Sequence, residues 1–183
     1  MSNNKTITNV KIAISGKSGC GNTTVSRLIA DTLGLRFINF TFRTLAQERG
    51  VALSEMLVLA ANDDSIDREV DIRQAAIARE DGGCVLGSRL AIWMLPEADL
   101  KVVLAASPQT RAKRIQLREG GDLQAIADFT AERDRQDHQR YLKIYEIDND
   151  NYSFADIVID TDEIAPKQIV EIIITEIKRK IEM

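Results

Sequence analysis

Apolar residues along this chain follow two patterns that alternate from one end to the other. Short, nearly continuous apolar runs are typical of strands buried on both faces of a parallel sheet. Longer segments with apolar residues every three or four positions are typical of amphipathic helices. The first pattern predicts strands at residues 10–14, 36–39, 84–87, 100–105 and 155–160. The second predicts helices at residues 23–33, 42–49, 53–62, 66–80, 108–118, 123–145 and 166–181.

The order of these elements predicts the fold class. Strand–helix–strand units with right-handed crossovers build a parallel sheet covered by helices, so we expect an α/β fold with a five-stranded parallel sheet and helices on both faces. Ligands of such sheets bind beyond the carboxyl ends of the strands. Gly34 is placed to end the first helix, and Ser54 is expected to cap the third.

The segment GKSGCGNTT, residues 16–24, lies between the first predicted strand and the first predicted helix. It matches the phosphate-loop pattern G-x-x-x-x-G-K-[ST], except that Asn22 stands where the lysine belongs. Backbone N–H groups of such a loop, with the helix N-terminus after it, bind nucleotide phosphates. The Thr23 hydroxyl is placed to coordinate Mg²⁺; the alternative is a glycine-rich turn without a ligand. The candidate phosphate-binding residues are Gly16, Lys17, Ser18, Gly19, Cys20, Gly21, Asn22, Thr23 and Thr24.

The missing lysine leaves two interpretations open. The lysine of a phosphate loop brings a mobile positive charge to the outer phosphates. Asn22 can donate hydrogen bonds there but cannot neutralise charge. Lys17, the second residue of the loop, can curl back over the phosphates and replace that charge, or it can be a solvated lysine that plays no part in catalysis.

Arginines occur on several separate segments of the chain. Positive charge placed on the moving phosphates carries most of the catalysis of phosphoryl transfer, so joining two phosphorylated molecules requires arginines from several elements. In residues 108–118, arginines three and seven positions apart share one helix face. The alternative is that these arginines lie on solvated helix faces or in surface ion pairs. The candidates are Arg43, Arg68, Arg73, Arg89, Arg111, Arg114, Arg118, Arg133, Arg135 and Arg140.

These segments, in this order, resemble the cytidylate kinases of archaea and spirochaetes, which are P-loop nucleoside monophosphate kinases. The likeness runs over nearly the whole chain and is carried by KIAISGKSGCGNTT, LGLRF, RTLAQERGV and EIDNDNYSFADIVIDT. The resemblance implies a P-loop NTPase fold with a helical lid. It also implies one domain over 1–183, with an acceptor-binding helical segment at about 40–80 and a lid at about 108–145.

The resemblance implies a reaction as well. The γ-phosphoryl group of Mg·ATP would pass to CMP or dCMP, giving ADP and CDP or dCDP, with ATP and Mg²⁺ as cofactors. By match to the family's motifs, Arg43 and Arg89 would bind the phosphate of the acceptor. Asp67 and Arg68 would contact its cytosine or its sugar. The catalytic residues implied are Lys17, Arg114, Arg118 and Arg133.

Composition narrows the class of partner. The net charge of −4 gives the chain no overall attraction for nucleic acid or anionic membranes. No apolar stretch reaches the roughly 18 residues of a membrane span, and the first residues show no secretory signal. We therefore expect a cytoplasmic protein, and the resemblance implies a monomer that acts on small nucleotides. Cys20 and Cys84 form no C-x-x-C pair and are expected to be buried thiols.

A few residues carry separate expectations. His138 is expected on the surface or in the lid rather than to act as a base, because a phosphate acceptor is already ionised. Trp93 and Met94 are expected in the core. Asp99 is a turn residue or helps a magnesium site. Two other functions stay open: a nucleotide-binding regulator with little turnover, which Asn22 suggests, and a kinase for another phosphorylated small molecule.

Overall fold

A parallel sheet forms the centre of the protein, seen in a computed structural model that describes residues 6–182. The two ends of the expected domain, residues 1–5 and 183, lie outside this range. The five strands of the sheet are arranged in the order β2-β3-β1-β4-β5. They are β1 Lys11–Ser15, β2 Arg36–Ile38, β3 Cys84–Gly87, β4 Leu100–Ala105 and β5 Ile157–Asp160. The predicted α/β fold is confirmed.

The helices start and end close to their predicted positions. Within residues 6–182 they are α1 Asn22–Leu33, α2 Phe42–Arg49, α3 Leu53–Asn62, α4 Asp64–Arg79, α5 Ala91–Met94, α6 Pro108–Glu119, α7 Leu123–Tyr145 and α8 Pro166–Glu182, with one 3₁₀ turn at Ile7–Asn9. The short helix α5 escaped prediction because four residues do not show a helical period. The predicted Ser54 cap is wrong, since the backbone is still extended at Ala52, which caps α3, and Ser54 lies inside the helix.

Helices cover both faces of the sheet because alternate residues of a strand point to opposite sides. Ile12 and Ile14 of β1 pack in one apolar cluster with residues of α1 and α8. Ala13, between them, packs in a second cluster with residues of α4 and α5. A third cluster, which includes Leu45 and Met56, joins α2, α3 and α4. The helical segment between β2 and β3 therefore has a small core of its own.

The carboxyl ends of the three central strands meet at one edge of the sheet. In the parallel register, Ile14 of β1 pairs with Gly87 of β3, and Ser15 pairs with Val103 of β4. The loops that follow these strands consequently lie side by side, at the edge where parallel sheets bind ligands.

Several residues singled out in the sequence lie away from that edge. Asp99 is at the opposite edge, where its Oδ2 accepts a hydrogen bond from the Lys11 N–H at 2.7 Å, and this position favours a turn residue over a magnesium site. Gly34 ends α1 as predicted, with a left-handed φ of 65°. The expected buried thiols are confirmed for Cys84 and for Cys20, although Cys20 belongs to the loop after β1 and so lies at that edge.

The aromatic residue of α5 sits at the border of the core. Trp93 is half-buried rather than buried, and its ring meets the Phe154 ring edge-on at 5.6 Å. Met94 is half-buried too, so both lie less deep than expected. No helix within residues 6–182 is long and apolar enough to cross a membrane.

Candidate active site

The loop between β1 and α1 needs glycine where its backbone turns left-handed. Gly19 has a φ of 85° and Gly21 a φ of 100°. A Cβ on Gly19 would lie 2.9 Å from the backbone of Arg111 on α6, so a larger residue does not fit. Gly21 precedes α1 without a side-chain hydrogen bond at the cap. The first N–H groups of α1 are therefore available to bind an anion.

A cavity of about 560 Å³, which we call the main cavity, extends from this loop to helices α2, α4 and α7. Its loop end is formed by residues 16–24, where Thr23 is exposed on the first turn of α1. Its helix end is formed by residues of α4 and α7 and by the segment after β2. Arg89 follows β3 and lies between the two ends. The edge of the sheet thus carries one continuous space with a phosphate loop on one side.

A chain of charged side chains links the loop end of the main cavity to its helix end. The Arg89 guanidinium donates to the Ser18 hydroxyl at 2.7 Å, and its Nε lies 3.1 Å from the Asp137 carboxylate. Asp137 also pairs with Arg140 at 2.7 Å, and Arg140 lies 3.1 Å from Asp67. We call Arg89, Asp137, Arg140 and Asp67 the cavity network. Its arginines are neutralised by buried carboxylates, so an incoming anion must displace these partners.

Burial changes the acidity of the groups at the helix end. It raises the pKa of Asp67 to about 6, although the Arg140 charge opposes the rise. Burial also raises the pKa of Asp71, against hydrogen bonds from the Tyr145 hydroxyl and the Gln74 amide, both at 2.8 Å. Burial raises the pKa of Tyr141 to about 12. Protonation of Asp67 would free Arg140 from one of its two carboxylates.

Comparison with known proteins identifies the family to which the chain belongs. A model of the cytidylate kinase-like family matches residues 11–163, which include every strand of the sheet and both ends of the main cavity. The chain belongs to the cytidylate kinase-like family. The resemblance read from the sequence is thereby confirmed.

Individual relatives agree with this assignment over most of their length. The chain is 46% identical over 175 residues to cytidylate kinase 2 of Borreliella burgdorferi, which covers 93% of this chain and 97% of that protein. It is 37% identical over 173 residues to the cytidylate kinase of Archaeoglobus fulgidus, covering 93% and 96%. Shikimate kinase of Bacteroides thetaiotaomicron is 16% identical, with a TM-score of 0.61 over 95% of this chain and 99% of that one, and shows the P-loop kinase fold alone.

Asn22, which stands where the phosphate-loop pattern has its lysine, turns back onto the loop. Its Nδ2 donates to the Gly16 carbonyl at 2.6 Å, and its buried Oδ1 has no hydrogen-bond partner within residues 6–182. A Cβ on Gly16 would lie 2.5 Å from that Oδ1. The amide therefore braces the loop from inside and does not extend towards the outer phosphates.

Lys17 lines the main cavity and forms an ion pair. Its Nζ lies 2.7 Å from Asp150, in the segment between α7 and β5, and both side chains are more than one-third exposed. Such an exposed pair contributes only about 0–1 kcal/mol, so a phosphate can compete for the ammonium group. Both interpretations of Lys17 are compatible with this geometry.

The three predicted arginines of α6 differ in their surroundings. Arg114 donates to the Thr161 hydroxyl at 2.9 Å and to the Gly19 carbonyl at 3.3 Å, which ties the loop to the segment after β5. Arg118 is exposed at the rim and pairs with its neighbour Glu119. Both line the main cavity. Arg111 is buried behind the loop, where it pairs with Asp134 on α7 at 2.5 Å.

Not all the predicted site residues reach the main cavity. Asp67 does, but Arg43, Arg68 and Arg133 do not line it. Arg43 is exposed at the start of α2, and Arg133 is exposed on α7 without an ion pair or hydrogen bond to any residue in 6–182. Arg68 donates to the Ile144 carbonyl at 2.6 Å and ties α4 to α7. Their proposed roles stay predictions.

Sequence reasoning missed the carboxylate at the centre of the cavity network and did not assign its second arginine. Asp137 is only 4% exposed, and it lies on the stripe of α7 that also buries Thr130, Tyr141 and Ile144. A carboxylate on such a buried stripe requires a charged partner. That requirement, together with Arg140 three residues later on the same face, was the available signal.

A smaller cavity of about 200 Å³ adjoins the loop beside Trp93 and Tyr152. Near its rim, His138 Nδ1 lies 2.9 Å from the Asn149 Oδ1 and 3.5 Å from Asp150. His138 is half-buried on α7 and does not line the main cavity, in keeping with the expectation that it is not a catalytic base.

Proposed function

We propose that this protein is a cytidylate kinase, which transfers the γ-phosphoryl group of ATP to CMP or dCMP and releases ADP with CDP or dCDP. The observation that carries the proposal is the main cavity, because one space joins a phosphate loop to a second, arginine-bearing end. A kinase with two phosphorylated substrates needs both ends in one enclosure. The identity to two proteins named cytidylate kinase supports the choice of acceptor.

At the loop end, the donor phosphates would bind to the N–H groups of residues 16–24. Mg²⁺ prefers oxygen ligands, and the Thr23 hydroxyl offers one, exposed to the main cavity and without a hydrogen bond to any residue in 6–182. When bound there, the ion would neutralise charge on the outer phosphates. Arg114 and Arg118 also line the main cavity and would stabilise the negative charge of the transferring group.

At the helix end, the phosphate of the acceptor would take over the arginines of the cavity network. Arg89 is the first of these, since it already contacts the loop through Ser18 and would hold the acceptor phosphate beside the donor. An ionised acceptor phosphate attacks without a general base, so positioning and charge are the main contributions required of the protein. Asp67 and Arg68 would then lie near the sugar or the base.

The remaining residues would act after a movement of the lid. We assign the acceptor-binding segment to about 40–80 and the lid to about 108–145, within one nucleoside monophosphate kinase domain. Closure of the lid would bring Arg133 to the phosphoryl group and exclude water, which limits wasteful hydrolysis of ATP. Arg43 would approach the acceptor phosphate when the helical segment moves. A monomeric state and a cytoplasmic location stay predictions.

A regulator that binds nucleotides with little turnover is the second candidate. The geometry of the loop favours it in one respect, because the Asn22 amide is bonded to Gly16 and the Lys17 ammonium to Asp150. In this arrangement Lys17 lines the main cavity, but its ammonium group is engaged by Asp150.

The experiment that separates the candidates is ADP formation by the purified protein with Mg·ATP and CMP, dCMP, UMP or AMP in turn. Turnover that depends on CMP or dCMP is expected. ATP binding by calorimetry without turnover on any acceptor would favour the regulator. Turnover only with a different phosphorylated acceptor would assign the protein to another kinase activity of the same fold.

A further inference from the structure

One polar atom at the helix end of the main cavity lacks a partner. Gln74 of α4 lines the cavity but is only 2% exposed, and its buried Oε1 accepts no hydrogen bond from any residue in 6–182. An unpaired buried acceptor is costly unless a ligand supplies the missing donor. Gln74 therefore marks a position where the bound molecule has to donate a hydrogen bond.

The orientation of the Gln74 amide is determined by its neighbours. Its Nε2 donates to Asp71 Oδ1 at 2.8 Å, and the Tyr145 hydroxyl donates to Asp71 Oδ2 at 2.8 Å. A carboxylate only accepts hydrogen bonds, so the nitrogen of the amide must face Asp71. The unpaired atom of the amide is therefore its oxygen, Oε1, and the flipped orientation with Nε2 unpaired is excluded.

The walls around this acceptor suit a flat ring. Phe40 and Val70 line the same end of the main cavity, and both belong to the third apolar cluster. The Arg73 guanidinium lies 4.5 Å from the centre of the Phe40 ring and holds it in place. A pyrimidine ring between apolar side chains, with its polar edge towards Gln74 and Asp71, satisfies both kinds of surface.

We propose that Gln74 determines base specificity by accepting a hydrogen bond from the 4-amino group of cytosine. Asp71 is the positioning residue that orients the Gln74 amide. Uracil carries a carbonyl oxygen at the same place, and two acceptors facing each other without a proton repel, so the arrangement selects against UMP. The inference rests on the proposed function, of which it specifies the acceptor base.

The test compares CMP with its analogue that lacks only the 4-amino group, the 5′-monophosphate of 2-pyrimidinone riboside. The two nucleotides have the same ring size, sugar and phosphate, so a difference between them reports on the amino group alone. In the wild type we expect kcat/KM to be at least ~100-fold higher for CMP than for the analogue, since sites built to bond a donor reject ligands that lack it. A ratio below about threefold in the wild type would overturn the inference without any variant.

The variant Gln74→Leu removes the acceptor at nearly constant volume. We expect it to reduce the ratio to below about fivefold, mainly through loss of activity on CMP, while activity on the analogue changes little. Gln47→Leu, on the exposed side of α2, is the matched control and should keep the wild-type ratio. A general structural role of Gln74 would lower both activities together and leave the ratio unchanged, which would overturn the inference.

Failure of the proposed function would be distinguishable. In that case ADP is not formed with any acceptor. The dissociation constants of CMP and of the analogue from the wild-type protein, measured by calorimetry, still show which nucleotide binds more tightly. Tighter binding of CMP by at least tenfold would support base recognition by Gln74 in a binding protein, and equal binding of the two nucleotides would overturn it.

Discussion

The two ends of the main cavity are built in different ways. At the loop end, the binding groups are backbone N–H groups, whose positions depend on glycines within a few residues of one another. At the helix end, the proposed binding groups are side chains of α4 and α7, such as Asp67 and Arg140, which are far apart in the sequence. The loop end is open for an anion, whereas the arginines at the helix end already hold carboxylates. If the two ends bind the substrates as proposed, donor binding is preorganised and acceptor binding requires an exchange of ion pairs.

The variant Arg89→Ala is the strongest test of the proposed division between donor binding at the loop end and acceptor binding at the helix end. Removal of this charge should lower kcat/KM for CMP by about 10²–10³-fold, or about 3–4 kcal/mol, because Arg89 would hold the acceptor phosphate beside the donor. The ATP dissociation constant, measured by calorimetry, should stay within about threefold of the wild-type value.

Arg79→Ala is the matched control for Arg89→Ala. Arg79 pairs with Glu97 and does not line the main cavity. A loss of ATP affinity as large as the loss of acceptor turnover in Arg89→Ala would show that the arginine serves the loop end, and the proposed division between the ends would not hold.

The helix end should also determine part of the dependence of stability on pH. Burial raises the pKa of Asp67 to about 6 in the folded protein, against about 3.9 in an unfolded chain. Between these values the folded protein retains a proton that the unfolded chain has released. This carboxyl group therefore stabilises the fold below about pH 4, and the contribution is lost as the pH rises through about 6.

We expect the free energy of unfolding of the wild type to fall, relative to Asp67→Asn, by about 2–3 kcal/mol between pH 4 and pH 7. Urea unfolding of both proteins at unit pH intervals measures the difference. Asp81→Asn, on the exposed turn after α4, is the control. Its free energy of unfolding should change with pH in the same way as that of the wild type. If the free energy of unfolding of Asp67→Asn also changed with pH in the same way as that of the wild type, the assigned pKa of Asp67 would be contradicted.

At the loop end, Gly19→Ala should act through the backbone. The φ of 85° disfavours alanine, and the added Cβ would lie 2.9 Å from the backbone of Arg111. We expect the ATP dissociation constant to rise by about tenfold or more, since the loop has to shift. Gly50→Ala is the matched control, because its φ of 67° imposes a similar backbone cost with open space around the Cβ. Equal ATP binding by the two variants would mean that the packing of the loop against α6 does not matter.

The same contrast explains what could be predicted from the sequence. The strands, most helix bounds and residues 16–24 follow from local patterns, since glycine spacing and apolar periodicity are set by nearby residues. Asp137 and Gln74 were missed because their importance depends on burial and on tertiary structure, which pairs Asp137 with Arg89 and places Gln74 at the main cavity. The Asn22 substitution was visible, but its bond to the Gly16 carbonyl was not, since an amide in that position can also face the ligand.

Lys17→Ala has an expected effect no larger than that of Gly19→Ala and addresses the loop lysine directly. If Lys17 leaves Asp150 to neutralise the outer phosphates, its removal should lower kcat by at least about tenfold, or about 1.4 kcal/mol. Asp150→Asn is the informative partner, because it releases the ammonium group without removing it. It should maintain or raise kcat and change the free energy of unfolding by less than about 1 kcal/mol. An unchanged kcat in Lys17→Ala would assign Lys17 to the solvated surface, and the N–H groups of the loop end would then bind the donor without a lysine.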